Sequence, residues 1–283
     1  MIDSHMHIFD IRAVSAGGGS TRYTPDRSAL FDEYLKLTSP LGFDGCLIVQ
    51  PSFFRTDNSF LLRHLDVKNP SFKRFGVAVL PPRTSPETLE TLHSKGVTGI
   101  RFNLVQADDD TLNFHEHFPA SFWRTLDAIG MHVEIHVESN RLMKIVESLF
   151  PHVSRIVVDH FMRPSEGSRG FIRGVPSVYR DIEPFCGSGR IWVKTSAAYR
   201  VVPDKPHREA VRNCCDLAEM LAAMLGKKRI LWGSDWPYTQ NTYKVEGDSP
   251  ADQFQSVATT RELWTKGGVL YDPELAFREL TGV

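Results

Sequence analysis

Four short segments of the sequence end in side chains that can bind a metal ion or move a proton. His5 and His7 stand two residues apart, a spacing that places both imidazoles on one side of a strand. His136, His160 and Asp235 each follow a short apolar run. Imidazole nitrogens and carboxylates bind Zn²⁺ and also serve as general acids and bases. The set therefore predicts a metal centre or an acid–base site.

Each of these residues also has an ordinary structural explanation. A histidine that ends an apolar run is often a buried, hydrogen-bonded residue, and an aspartate after Gly-Ser often forms a turn. The combination favours function, because four separate runs each end in a group of this kind.

The elements that must position these groups form a repeating pattern. Short β-branched or apolar runs alternate with longer stretches of helical periodicity, as in parallel β/α units. The predicted strands are Ile2–Phe9, Gly45–Gln50, Arg74–Leu80, Gly99–Asn103, His132–His136, Arg155–His160, Ile191–Thr195 and Arg229–Ser234. The predicted helices are Ser28–Leu37, Ser59–Val67, Pro86–Ser94, Ala120–Ile129, Ser139–Leu149, Pro176–Phe185, His207–Leu225 and one after Pro250.

The length of 283 residues suits one (β/α)8 TIM barrel. An open doubly wound sheet is less favoured, because no G-x-G-x-x-G motif follows an early strand. In a barrel the carboxyl ends of the strands meet in one cavity, so the four segments would bring their polar residues together.

Composition and charge exclude several classes of partner. The formal net charge of −1 provides no basic field for nucleic acid, and no apolar run approaches the ~20 residues of a membrane span. No secretory signal pattern precedes the first strand, and the four cysteines have no C-x-x-C spacing. We therefore expect a cytoplasmic protein with reduced thiols.

The order H-x-H, His, His, Asp on these strands resembles the amidohydrolase superfamily, and the resemblance covers residues 1–283 as a single domain. Four segments resemble the branch that contains 2-pyrone-4,6-dicarboxylate lactonase and related sugar lactonases. These segments are Ile2–His7, Gly99–Asn103, Asp159–Pro164 and Leu231–Pro237. Taken together they are specific, whereas a single H-x-H is weak evidence.

The resemblance implies a hydrolase that opens a carboxylated lactone, of the pyrone dicarboxylate or sugar lactone kind. Asp235 would be the general base toward water. His5, His7 and His160 would polarise the lactone carbonyl and stabilise the developing oxyanion. No cofactor is required in this interpretation.

The resemblance also implies a binding site for a small anionic substrate. Arginines matching Arg101, Arg163 and Arg200 would bind its carboxylates through their planar guanidinium forks, and Tyr23 matches a tyrosine of the same pocket. The alternative for the arginines is a solvated surface or a structural ion pair. Lys194 is interpreted as a structural residue of the barrel interior, because the superfamily places its carbamylated lysine on strand four.

Other functions remain open at this stage. One is a metal-dependent hydrolase or decarboxylase, whose single Zn²⁺ or Mn²⁺ would be held by His5, His7, His136, His160 and Asp235. A lactone isomerase would use the same groups, and an inactive binding protein would hold an anionic sugar or aromatic acid through Arg101 and Arg163. The segment Arg163–Val178 could close the site or form a homodimer contact, and the sequence does not decide between them.

Overall fold

A computed structural model gives the fold of this chain. It describes residues 1–15, 27–67, 71–105, 116–165, 174–203, 207–238, 249–266 and 273–282, together with residues 25, 69, 205 and 268. Tyr23, predicted above to line the substrate pocket, lies outside the described residues.

Eight parallel strands follow one another around a barrel in chain order. They are β1 (Ile2–Met6), β2 (Gly45–Val49), β3 (Lys73–Ala78), β4 (Val97–Asn103), β5 (His132–His136), β6 (Ile156–Val158), β7 (Ile191–Thr195) and β8 (Ile230–Trp232). The first and last strands meet just beyond their ends, where the His7 N–H donates to the Trp236 carbonyl at 2.8 Å. The predicted (β/α)8 barrel is therefore confirmed.

Helices occupy the outside of the barrel and one of its ends. They are α1 (Ile11–Ser15), α2 (Phe31–Thr38), α3 (Ser59–Leu65), α4 (Pro86–Ser94), α5 (Ala120–Ala128), α6 (Ser139–Leu149), α7 (Ser177–Cys186), α8 (Ala198–Val201), α9 (His207–Leu225), α10 (Pro250–Lys266) and α11 (Pro273–Thr281). All eight predicted helices are present, whereas α1, α8 and α11 were not predicted. Within the described ranges, no helix combines the length and apolar character needed to cross a bilayer.

The barrel interior has an apolar layer near the amino ends of the strands and a charged layer above it. Ile2, Leu47 and Phe75 pack with Phe277 of α11, which closes this end of the barrel. A second buried group joins Val157, Trp192 and Leu231 to Ala276 and Leu280 of the same helix. The histidines and Asp235 singled out from the sequence lie toward the opposite end, where the strands finish.

Candidate active site

The four histidines and the aspartate predicted from the sequence converge at the carboxyl end of the barrel. Each is at most 7% exposed. The rings of His5 and His7 are 5.0 Å apart between centroids, as are those of His5 and His160, and His136 lies 4.9 Å from His160. Residues at or just beyond the carboxyl ends of β1, β5, β6 and β8 thus form one buried cluster.

The join between the first and last strands fixes two of these residues relative to each other. The Asp235 N–H donates to the His5 carbonyl at 2.8 Å, and Asp235 takes a left-handed conformation with φ of 58°. A Cβ at Gly233 would lie 2.6 Å from the His5 Cβ, so only glycine permits this approach. Asp235 and His5 are therefore held by adjoining backbone.

A buried carboxylate beneath the site strengthens the same join. Asp3 accepts hydrogen bonds from the His5 N–H at 3.1 Å, the Ser234 N–H at 2.9 Å and the Tyr34 hydroxyl at 2.9 Å. The Ser234 hydroxyl donates to it as well, at 2.6 Å. Burial raises the pKa of Asp3 despite these donors. Asp3 was not singled out in the sequence analysis, although it belongs to the segment Ile2–His7.

The two oxygens of Asp235 have different surroundings. Oδ2 accepts from the Arg200 Nε–H at 2.9 Å and from the Tyr199 hydroxyl. Oδ1 lies 3.5 Å from Nε2 of both His5 and His7, and has no hydrogen-bond partner in the described part of the chain. Burial acts to raise the pKa of Asp235, but the Arg200 charge and the neighbouring histidines together outweigh it and hold that pKa well below its usual range. The carboxylate is therefore ionised, with one oxygen held and the other available.

Hydrogen bonds also determine how the histidine rings can act. His7 Nδ1 lies 2.8 Å from the Val49 carbonyl, which can only accept, so Nδ1 carries a hydrogen and Nε2 of the neutral ring is an acceptor. His160 Nδ1 contacts the Ser196 hydroxyl at 2.9 Å. Burial lowers the pKa of His160 to about 3 and that of His5 well below its usual value. Both rings are consequently neutral at physiological pH.

Three donor atoms converge as they would around a divalent cation. One ligand atom each from His5, His7 and Asp235 lies within 4.8 Å of the other two, and both Nε2 atoms are 3.5 Å from Asp235 Oδ1. The two 3.5 Å separations to Asp235 match the ~3.4 Å expected between neighbouring ligands of a tetrahedral site with ~2.1 Å bonds. His5, Asp159 and His160 form a second such group, whereas His136 belongs to neither. The residues therefore fit a metal ion, with His136 outside the ligand sets.

The predicted substrate arginines lie around this cluster in three different settings. Arg101 on β4 is 4% exposed and donates to Asp159 at 2.6 Å. Arg163 is half-buried, with Nη1 3.2 Å from His136 Nε2. Arg200 is paired with Asp235. All three are near the site, and their roles in substrate binding remain predictions.

A model of the amidohydrolase family matches residues 2–266. The chain belongs to the amidohydrolase family. It is 28% identical over 242 residues to a 4-sulfomuconolactone hydrolase of Hydrogenophaga intermedia, covering 84% of this chain and 74% of that protein. It is 26% identical over 275 residues to a 2-pyrone-4,6-dicarboxylate hydrolase of Comamonas testosteroni, covering 94% and 86% respectively.

A solved structure is also similar to this amidohydrolase over nearly its whole length. A protein from Pseudomonas putida, provisionally assigned as a 2-pyrone-4,6-dicarboxylic acid hydrolase, is 30% identical, with a TM-score of 0.78. The match covers 99% of this chain and 97% of that one. The resemblance to this branch of the family, stated from four sequence segments, is confirmed.

Sequence reasoning missed a buried charge network beneath the histidines of this amidohydrolase. Arg101 faces Glu134 at 3.2 Å as well as Asp159, and Lys194 forms an ion pair with Glu134. Burial and the neighbouring Asp159 raise the pKa of Glu134 to about 7. Glu134 could have been found, because it lies two residues before His136 on β5 and shares its inward face.

Proposed function

We propose that this amidohydrolase opens the ring of an anionic lactone with a water molecule activated by Asp235. The observation that carries the proposal is the difference between the two oxygens of this carboxylate. Arg200 and Tyr199 hold Oδ2, while Oδ1 is buried, ionised and aimed at His5 and His7. This arrangement suits a general base, because one oxygen fixes the orientation and the other can take a proton.

The neighbouring histidine supplies a second contact for the water. Nε2 of His7, whose Nδ1 donates to Val49, lies 3.5 Å from Oδ1 of Asp235, so the neutral imidazole and the carboxylate would offer two acceptors side by side. A water between them would donate one hydrogen to each, leaving an oxygen lone pair for the lactone carbonyl. As the C–O bond forms, Asp235 takes a proton from the water. Collapse of the tetrahedral intermediate breaks the ring C–O bond, and Asp235 returns its proton to the leaving ring oxygen, which gives a hydroxyl and a carboxylic acid that ionises to the carboxylate. His5 and His160 would stabilise the oxyanion.

The substrate class follows from the relatives and from the charge of the site. The two curated relatives are named for 4-sulfomuconolactone and 2-pyrone-4,6-dicarboxylate, which are both anionic lactones. Arg163 is the best placed of the predicted arginines for a substrate carboxylate, because Arg101 and Arg200 already neutralise buried carboxylates. We therefore propose a lactone that carries at least one carboxylate.

A second candidate is a metal-dependent hydrolase or decarboxylase. The convergence of His5, His7 and Asp235 on one point favours it. A Zn²⁺ or Mn²⁺ held by these residues would supply Lewis-acid polarisation and a more acidic water. The lactone proposal does not require it.

The decisive experiment is hydrolysis of a panel of carboxylated lactones by chelator-treated protein, with its metal content recorded beside each rate. The panel should include 2-pyrone-4,6-dicarboxylate and aldonolactones, and products should be identified so that an isomerised lactone is distinguished from an opened one. Turnover by metal-free protein supports the proposal. Hydrolysis or decarboxylation that returns only with added Zn²⁺ or Mn²⁺ would replace it with the second candidate.

A further inference from the structure

Lys194 contacts a catalytic histidine from beneath. This residue lies on β7 with its side chain fully buried, and its ammonium forms an ion pair with Glu134 of β5. Its Nζ also lies 3.3 Å from Nδ1 of His5 in hydrogen-bond geometry. A charged ammonium has three donors and no acceptor, so Nδ1 of His5 must accept in this contact. Neither the sequence interpretation nor the proposed reaction gives Lys194 a part in catalysis.

Two carboxylates compete for the same ring nitrogen. Asp159 Oδ1 lies 3.4 Å from His5 Nδ1 and Glu134 Oε1 lies 3.7 Å from it. At these distances neither oxygen makes a hydrogen bond of ordinary geometry in the described part of the chain. The contact with good geometry is therefore the one from Lys194.

We infer that Lys194 is a positioning residue that holds the single proton of neutral His5 on Nε2. A neutral imidazole has one N–H, so a ring that accepts at Nδ1 must donate at Nε2. His5 Nε2 has no hydrogen-bond partner among the described residues and stands beside the available oxygen of Asp235. The site would then present a donor and an acceptor next to each other.

The catalytic meaning of this inference rests on the proposed function. The Nε2–H of His5 would donate to the lactone carbonyl and its oxyanion, while His7, held as the opposite tautomer by Val49, would accept from water. The two histidines of the H-x-H pair would have opposite roles, set by different partners of Nδ1. A cation bound through His5 Nε2 would require that proton to leave, so Lys194 would oppose metal binding at this residue.

The test is the tautomer of each histidine in metal-free protein, read from two-bond ¹H–¹⁵N correlations of ¹⁵N-histidine-labelled samples at neutral pH. Signals are assigned by comparison with His5→Gln and His7→Gln. The expected spectrum shows His5 with an unprotonated Nδ1 and a protonated Nε2. His7 is the internal control, because its contact with Val49 predicts the reverse pattern without any contribution from Lys194. A His5 with its proton on Nδ1 would overturn the inference.

Two variants separate positioning from mere packing. Lys194→Met removes the donor and keeps the length of the side chain. Glu134 then loses its ion pair with Lys194 but keeps Arg101 at 3.2 Å, which limits the effect of that loss. We expect the His5 proton to move to Nδ1, the His7 pattern to stay, and kcat to fall toward the about 100-fold loss typical of an oxyanion donor, with KM little changed. Thr195→Val, at the next position of β7, should retain both patterns. An unchanged His5 pattern in Lys194→Met would refute the inference.

The outcomes of the tautomer measurement can be distinguished from those of the lactone hydrolysis experiment. The tautomer is measured in free protein, so it can be wrong while lactone hydrolysis is right. The expected spectrum in a protein that hydrolyses no lactone would refute the proposed function alone. If Lys194→Met does not fold, the wild-type spectrum still decides which nitrogen of His5 carries the proton.

Discussion

Asp3 accepts both hydrogen-bond donors of Ser234, the backbone N–H at 2.9 Å and the hydroxyl at 2.6 Å. Asp3 lies near the start of β1 and Ser234 follows β8, so the pair ties together the first and last strands of the barrel. Since Ser234 precedes Asp235, the same contact positions the proposed general base.

Replacing Asp3 by alanine should destabilise the protein and impair catalysis together. The change leaves the Ser234 donors and the Tyr34 hydroxyl buried without their acceptor, and we expect a loss of about 3 kcal/mol in the free energy of unfolding. Tyr34→Phe removes only one of these donors and should cost about 1 kcal/mol. Urea denaturation of the two variants measures the difference, and equal stabilities would argue against a shared anchor at Asp3.

Asp235→Asn should retain substrate binding and lose turnover. The amide keeps the size of the side chain but cannot take a proton from water, so kcat should fall by about 10²- to 10⁴-fold with little change in KM. Tyr199→Phe keeps the base and removes one contact to Oδ2, so its loss should be smaller. Steady-state kinetics on the best lactone of the panel give both values. A nearly fully active Asp235→Asn would show that the base lies elsewhere.

Arg163 and Arg101 should respond differently to replacement by methionine. Arg163→Met is expected to raise KM at least tenfold, by about 1.4 kcal/mol or more, because it removes a donor for a substrate carboxylate. Arg101→Met leaves Asp159 without its buried arginine and Glu134 with Lys194 alone, and should cost about 3 to 5 kcal/mol of stability. Kinetics and thermal unfolding measured on both variants provide the comparison. Normal stability in Arg101→Met with a raised KM would instead support a role for Arg101 in binding the substrate.

The stability of the protein should fall as pH drops below about 6.5. Burial lowers the pKa of His132 and of His160 to about 3, from the ordinary value of 6.5 that the unfolded chain retains. Their contribution is therefore present above about pH 6.5 and lost as pH falls toward 3. The raised pKa of Glu134, about 7, acts in the opposite direction, since its contribution is present below pH 4.5 and lost as pH rises through 7. The two histidines together change the unfolding free energy with pH more than the single carboxyl does, so stability falls at low pH.

His132→Phe tests this pH dependence. Neither ring nitrogen of His132 has a hydrogen-bond partner in the described part of the chain, so an apolar ring loses no hydrogen bond there. The slope of unfolding free energy against pH between 4 and 6 should decrease by about 1.4 kcal/mol per unit. Exposed His117, replaced by glutamine, is the control. Equal slopes in His132→Phe and wild type would show that His132 is protonated in the native state.

Local patterns were sufficient to predict the barrel and the convergence of its candidate catalytic residues. The period of two placed His5 and His7 on one face, and the apolar runs before His136 and His160 marked strands that end at the site. The predicted strand that ends at His160 was too long. The chain leaves the ladder after Val158, and His160 has φ of 52°.

That departure explains why Asp159 was missed. Neighbouring residues of a regular strand face opposite sides of the sheet. A strand that directs His160 into the barrel would therefore direct Asp159 away from it. The turn at His160 brings both side chains to His5. The ion pair between Lys194 and Glu134 joins residues 60 positions apart, and local periodicity carries no information about such a pairing.

The join between β1 and β8 determines when this enzyme can become active during its synthesis. Asp3 and Ser234 are 231 positions apart, so a nascent chain can carry all four histidines of the site before its last strand has been made. Until then it lacks both the proposed base and the backbone contacts that position His5. The proposed ring opening must therefore await completion of the eighth strand, and its onset would report closure of the barrel during translation.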